Sequence, residues 1–395
     1  MSTQQEPYIL WLPSWYPNKL EPYNGDFIQR HARAAALYHP VTVIFFTQFG
    51  ESVSQRYNVE TTVNGNLKEI IVYIPFVPLK IRFLDRIRYN IKYYSFAKKI
   101  LNDHFTKSGL PHIVHVHVPM KAGNLAFWIK RKFKTPFIVS EQASTYLREA
   151  PDNFFKRHWL YRLQVKKIFK TADYVTNVSA AVGEILKDLF NIKKFSVIHN
   201  TVDTSIFKPV DSGYNEVASF IHISLLNYQK NVADIVRSLS ILKKENQNFR
   251  LMIFGPANND LIKLVHDLNL EEEVRFHVEV PQDELAKFVQ QADALILFSR
   301  YETFGCVIIE ALACGKPVIL SNLPVMHENA KEGFNAVFAE NENPSDLAEK
   351  IKWFIENRTK FNAAEIANDA ALRYNYSKVG KEFTNWYKQT IQTLS

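Results

Sequence analysis

The sequence predicts an α/β protein made of two doubly wound domains that face each other across a cleft. Three observations carry this. Short apolar runs of strand length alternate with stretches of helical periodicity, which is the pattern of βαβ units with parallel strands. The alternation stops at a polar, proline-containing stretch after Phe207 and then restarts. The chain has 395 residues, more than one ordinary core holds and suited to two domains.

The first half opens on Tyr8-Ile-Leu-Trp-Leu12, a strand, and a loop runs from Pro13 to Gly25. A helix is expected from about Asp26 to Tyr38, and Val41 to Phe46 is the next strand, completing a βαβ unit. Further strands at Ile113–Val118, Phe137–Val139, Tyr174–Val178 and Phe195–Ile198 alternate with helices at Gly123–Lys132, Phe154–Thr171 and Ala181–Phe190. Asn200-Thr-Val-Asp203, Phe207-Lys-Pro209 and the polar residues to Asn215 form the linker. The second half repeats the pattern, with strands at Phe220–Ile223, Phe249–Phe254 and Val274–His277 and helices at Ala233–Lys244, Leu261–Asn269 and Asp283–Gln291. The tail from Ala363 is helical, with Phe383, Trp386, Tyr387 and Ile391 on its apolar side.

The segment after these elements carries the chemistry. Ala294-Leu-Ile-Leu-Phe298 is a buried strand that stops at Ser299. Glu302 and Gly305 mark a tight turn, Cys306 begins a helix with Val307, Ile308, Ala311 and Leu312 apolar, and Gly315-Lys-Pro317 ends it before the strand Val318-Ile-Leu320. Such a turn offers bare backbone amides at a helix start, a seat for phosphate. Carboxylates on both sides of that nest, Glu302 and Glu310, suit a ligand with hydroxyls at both ends and a phosphate between, which describes a nucleotide-sugar.

Glu302 and Glu310, with Thr303-Phe-Gly305 between them and Ala311-Leu-Ala-Cys-Gly-Lys-Pro-Val318 after, resemble the Glu-x7-Glu motif of the family 4 retaining glycosyltransferases. Asn200-Thr-Val-Asp203 resembles that family's linker signature, and Trp15-Tyr-Pro17 with Gly25 and Phe27 its first strand-to-helix loop. The resemblance implies the GT-B architecture, two Rossmann-like domains. Residues 1–207 would hold the acceptor and 208–376 the donor, with a last helix at about 377–395 crossing back onto the first domain. It also implies roles. Glu310 would bind the ribose hydroxyls and Glu302 the donor sugar. The amides around Thr303, Phe304, Gly305, Cys306 and Val307 would hold the phosphates, and Gly25 would let the first domain's backbone approach them. Lys230 would neutralise the leaving diphosphate, a charge that develops as the glycosidic bond breaks. The donor would be a UDP- or GDP-sugar, with no metal and no further cofactor.

Each assignment has a plainer rival: Glu302 as a helix-capping carboxylate, Gly305 as an ordinary turn residue, Lys230 as a surface lysine. The chain also departs from the family pattern. Ser224 and Leu225 stand where a glycine and an arginine are usual, so Arg300, a base from the first domain, or Lys230 alone must serve. Gln142, in Ser140-Glu-Gln-Ala-Ser144, stands where a histidine is frequent and is expected to hydrogen-bond in the sugar cleft. His115 and His117 alternate on one strand. A metal site would need a third ligand, so core or cleft-lining histidines are expected instead, and the resemblance places His117 toward the acceptor cleft.

Composition bounds the rest. The chain is 47% hydrophobic and 22% charged, ordinary for a globular protein. No apolar run nears the roughly 20 residues that span a bilayer, and the polar start, Met1 to Pro7, suggests no signal peptide. Cys306 and Cys314, the only 2 cysteines, lie eight residues apart on one helix and cannot bridge, which fits a cytoplasmic protein. Residues 1–207 hold 28 Lys and Arg against 15 Asp and Glu, a net +13, while the remainder is net −5. The first half is therefore expected to face something anionic. Lys80 to Tyr94 is basic, aromatic and amphipathic, with Ile81, Leu84, Ile87 and Ile91 at helical spacing. It fits either an interfacial helix on the inner face of the plasma membrane or a core-facing helix with a solvated basic face. No nucleic-acid-binding signature accompanies it.

The expected activity is transfer of a sugar to a glycan or lipid-linked acceptor in surface polysaccharide or glycolipid synthesis. The rivals are a nucleotide-sugar epimerase of the same architecture, a glycoside hydrolase using two carboxylates, and a non-catalytic nucleotide-sugar binding protein.

Overall fold

The computed structural model describes residues 7–49, 58–210 and 213–392. The polar N-terminus, the middle of the expected linker and the last three residues of the expected final helix lie outside them. The first half runs β1 (Ile9–Pro13), α1 (Asp26–Ala36), β2 (Val41–Phe49), β3 (Asn58–Asn64), β4 (Leu67–Pro75), α2 (Arg82–Ser108), β5 (Ile113–His117), α3 (Met120–Phe133), β6 (Phe137–Glu141), α4 (Trp159–Thr171), β7 (Tyr174–Asn177), α5 (Ala180–Phe190) and β8 (Phe195–Val197). Its sheet has the order β3-β4-β2-β1-β5-β6-β7-β8. Among the described residues only β3 and β4 pair antiparallel in it. This hairpin at one sheet edge is absent from the sequence reading. Its signal was present: Gly65-Asn66 is the two-residue loop between the paired residues Asn64 and Leu67, with glycine first and at φ +56°.

The second half runs β9 (Ala218–Ile223), α6 (Val232–Lys244), β10 (Phe249–Phe254), α7 (Asn259–Asp267), β11 (Val274–His277), α8 (Gln282–Gln291), β12 (Ala294–Leu297), α9 (Cys306–Ala313), β13 (Val318–Ser321), α10 (Pro324–Asn329), β14 (Ala336–Ala339), α11 (Pro344–Asn357), α12 (Ala363–Tyr374) and α13 (Tyr376–Gln392). Its sheet is β11-β10-β9-β12-β13-β14, parallel throughout. Parallel strands covered on both faces read as apolar runs, and β12 and β13 are buried at every position.

The strand order reverses between β1 and β5 in the first sheet and between β9 and β12 in the second. A crevice opens at such a point beyond the carboxyl ends of the strands. Helix α13 packs on α1 in the first half, burying Val379, Phe383, Trp386 and Tyr387 against Trp11 and Ile28. Among the described residues α13, though it follows the second sheet, therefore lies on the first half.

Candidate functional site

The loops that follow β9 and β12 are neighbours because their strands are. Backbone and side-chain bonds stitch them: Arg300 N donates to Gln229 O at 2.8 Å, and Gln229 Nε2 to Tyr301 O at 3.1 Å. This brings Lys230, half-buried, onto the buried Glu302, 72 positions away, as an ion pair. Ser299 Oγ donates to the same Glu302 oxygen at 3.1 Å.

Gly305 caps the start of α9 in the left-handed region, φ +84°. A Cβ there would lie 2.8 Å from the Ile308 side chain, so the turn needs glycine. The turn is held from behind: Asn329 Nδ2 donates to Phe304 O at 2.6 Å, and Tyr374 Oη donates to Asn329 Oδ1 at 3.2 Å. Burial pushes the Cys306 thiol up to about 12, so it stays protonated and leaves the helix start to a ligand's anion.

Glu310 is buried on α9, and its partner comes from the other half. Arg30 Nη1 on α1 donates to Glu310 Oε1 at 2.7 Å, and Arg30 Nη2 also meets Asp26 at 3.2 Å. Burial raises the Glu310 carboxyl, and Arg30 opposes that rise. Burial works against the charge of Arg30 too, but Asp26 and Glu310 outweigh it and hold its pKa above the usual value. The guanidinium Nε is buried with no partner. Across the same gap Gln282 Nε2 donates to Asp26 at 2.8 Å. Glu328 accepts the Ala180 and Ala181 amides at 2.7 and 2.8 Å, capping α5.

These groups line one cavity of about 480 Å³ between the two sheets: Arg30, Gln142, Lys230, Glu302, the turn from Thr303 to Val307, and Glu310. Gln142 faces it from the loop after β6. Its Nε2 reaches His31 Nδ1 at 3.4 Å, and its Oε1 is buried and unpartnered. Gly25, φ +72°, starts α1 against the Trp15 carbonyl carbon, from which a Cβ would lie 2.6 Å. It shapes the loop rather than lining the cavity, whereas Trp15, Asp26 and Phe27 line it.

Two expectations need correction. His117 does not face the cleft. It is fully buried, stacked on Trp11 at 4.0 Å, with neither ring nitrogen bonded. Strand alternation turns His115 and His117 to the face covered by α1 and α13, and His115 Nδ1 bonds Tyr387 Oη at 2.7 Å. Among the described residues no group of three His, Cys, Asp or Glu is placed to hold a metal. Arg300 does not replace the absent arginine either. It bonds Glu342 at 2.6 Å and Tyr228 O at 2.7 Å and lies outside the cavity. Arg30 and Lys230 are the cations that line it. Sequence reasoning missed Arg30. Its only signal was its place on the apolar-periodic face of α1, one turn after Asp26.

The first turns of α2 are not core-facing. Ile81, Phe83, Leu84, Ile87 and Ile91 are exposed, Phe83 by 72%, whereas Tyr93, Ala97, Leu101 and Phe105 further along are buried. Among the described residues no helix is long and apolar enough to cross a membrane.

Residues 209–372 match the family described as Glycosyl transferases group 1, and residues 28–206 match Glycosyltransferase Family 4. The chain belongs to the family 4 glycosyltransferases. Among similar proteins, an uncharacterized glycosyltransferase of Methanocaldococcus jannaschii is 28% identical over 76% of this chain and 78% of its own. The O-antigen chain mannosyltransferase of Salmonella typhimurium is 28% identical over 61% of this chain and 66% of its own, just under two thirds. Sucrose-phosphate synthase from Thermosynechococcus elongatus superimposes with a TM-score of 0.78 at 14% identity, covering 98% of this chain and all of that one. The Anabaena protein HepE, solved with UDP-glucose, gives 0.70 at 17% identity over 97% of this chain and 100% of its own. Both are GT-B structures, and this glycosyltransferase has the GT-B fold.

Proposed function

We propose that this family 4 glycosyltransferase moves a sugar, with retention at the anomeric carbon, from a nucleotide-diphosphate-sugar to a glycan or lipid-linked acceptor of surface polysaccharide or glycolipid synthesis. The observation that carries the site assignment is the single cavity holding Lys230, Glu302, the Gly305 turn and Glu310 at the strand-order reversal of the second sheet. Residues 208–376 hold the donor, and residues 1–207, with the helix that returns to them, hold the acceptor.

In this reading Glu310 accepts the ribose hydroxyls and the bare amides from Phe304 to Val307 receive the diphosphate. Glu302 accepts from the donor sugar, and Lys230 neutralises the leaving group. The acceptor oxygen forms the new bond to the anomeric carbon as the bond to the β-phosphate oxygen breaks. The nucleoside diphosphate leaves with the electron pair, and the acceptor hydroxyl proton is released. The two carboxylates already hold cations, Lys230 and Arg30, so the ligand's hydroxyls enter a cleft in which charge is balanced beforehand. The UDP-glucose complex of HepE supports a UDP-sugar as donor, with a GDP-sugar the second choice. The transfer needs no metal in this reading.

The exposed apolar turns of α2, interleaved with Arg82, Arg86, Arg88 and Lys92, support peripheral contact with the anionic inner face of the plasma membrane. Mass-detected sugar transfer tests the site. It should be abolished in Glu310→Ala, and normal transfer by that variant would sink the assignment. A thermal-shift panel of UDP-, GDP- and ADP-sugars identifies the base, because a ligand of the native state raises the melting point.

A further inference from the structure

The donor cavity does not end at its own walls. It shares Trp15 and Ala143 with a second cavity of about 560 Å³ in the first half. That one shares Arg86, Met120, His158 and Tyr161 with a third, of about 700 Å³, between the starts of α2 and α4. The three differ in chemistry. Arg86, Lys156, Arg157 and His158 converge on the second from two separate segments. Arg86 carries no ion pair among the described residues. Lys156 reaches only the Pro151 carbonyl, at 3.1 Å. Arg157 pairs with Asp152 at the exposed rim. His158 Nδ1 accepts the Leu160 amide at 3.3 Å. The one carboxylate lining this cavity, Glu141, is already occupied, accepting from the Gln142 and Ala143 amides at 2.8 Å and from Tyr146 Oη at 2.7 Å. The cavity therefore presents net positive charge.

The third cavity is mainly apolar and aromatic, with Phe83, Ile87, Tyr89 and Leu160 among its walls. Beside it Ile91, Trp159 and Leu163 are exposed by 67%, 55% and 56%. Large apolar side chains crowded at the starts of two adjoining helices, with cations between them, lack an apolar partner.

We infer that this run of cavities is the acceptor site, and that the acceptor is a lipid in which a phosphate or diphosphate separates the glycosylated sugar or polyol from a long aliphatic chain. The order along the protein is the order along such a molecule: reacting hydroxyl at the donor cavity, phosphate among the four bases, chain in the apolar trough leading to the membrane surface. A neutral glycolipid would leave the bases unanswered, and a free phosphorylated sugar would leave the trough empty. The inference rests on the reading of the first cavity as the donor site.

Calorimetry on the full chain separates the two, with UDP as the donor-site probe and farnesyl diphosphate as the acceptor-site probe. Farnesyl diphosphate should bind at least tenfold more tightly than inorganic diphosphate or farnesol. Arg86→Ala and Arg157→Ala should each weaken it at least tenfold while leaving UDP within twofold. Both side chains are exposed, so these variants should keep the wild-type melting point. Glu310→Ala should do the reverse, losing UDP and keeping farnesyl diphosphate. Competition between UDP and farnesyl diphosphate would place the latter in the donor turn and overturn the inference. So would farnesyl diphosphate binding no better than diphosphate while phosphatidylglycerol vesicles still bind, which would leave a plain membrane surface. Failure of UDP to bind the wild type, with farnesyl diphosphate binding intact, would overturn the donor reading and leave the lipid-phosphate site standing.

Discussion

The second half delivers its cleft residues from two loops on neighbouring parallel strands, whereas the first half delivers its own from α1, the loop after β6, and the starts of α2 and α4. The second half's residues are compact in sequence: Glu302, the turn and Glu310 span one strand–turn–helix unit. They are also stitched by hydrogen bonds within the protein. The first half's residues are scattered, and many are exposed cations or exposed apolar side chains. This contrast fits a pre-shaped donor seat facing a broader, charged and greasy surface that a large acceptor would complete. The halves touch through hydrogen bonds from Gln282 to Asp26 and from the Ala180 and Ala181 amides to Glu328, through apolar packing of Tyr301 on Leu147 and Val182, and through one buried ion pair, Arg30 with Glu310.

The sharpest way to break the comparison is to remove that contact. Arg30→Met leaves Glu310 buried and uncompensated, and the expected loss of stability in urea unfolding is about 3–5 kcal/mol. A loss under about 1 kcal/mol would mean that the halves part and let water reach Glu310. Next in size, Lys230→Ala should lower the transfer rate by about 10²–10³-fold, as loss of one electrostatic stabiliser does, while UDP binding falls far less. Equal losses in both would demote Lys230 to ground-state binding.

Acidity tests both halves together. Burial holds His31 in the first and His222 in the second at about 4 in the folded protein, below the ordinary 6.5. Between those values the unfolded chain binds protons that the folded one refuses, so stability should fall as pH drops from 6.5 through 4. Glu141, raised to about 7 by burial, opposes this, because from pH 7 down to 4.5 only its folded form holds the proton. Melting temperatures between pH 7 and 4 should therefore decline, and a flat profile would show that the histidines become hydrated. The smallest effect is expected at the first half's surface. Phe83→Ser should change stability by no more than about 0.5 kcal/mol, yet reduce binding to anionic vesicles. A larger stability loss would show that Phe83 is packed.

Much of this was legible in the chain, unevenly and for physical reasons. Parallel strands buried on both faces announce themselves as apolar runs, so the two-sheet plan could be read, as could the Gly305 turn whose conformation excludes other residues. The β3–β4 hairpin carried its signal at Gly65-Asn66 but lay outside the βαβ rhythm. The cleft placement of His117 on β5 failed because alternation says that two residues share a face, not which face. The apolar spacing at the start of α2 likewise could not say whether a core or nothing covered it.

The sequence by itself determined the fold class and the Gly305 turn, because both follow from period, turn chemistry and residues close together in the chain. Only the tertiary structure decided that Lys230 meets Glu302, that Arg30 rather than Arg300 enters the cleft, that His117 is shut away, and that the cationic cavity adjoins an apolar trough. Those pairings depend on which strands become neighbours and how two sheets face each other. Strand order and facing are set by packing over the whole chain rather than by any local stretch of it.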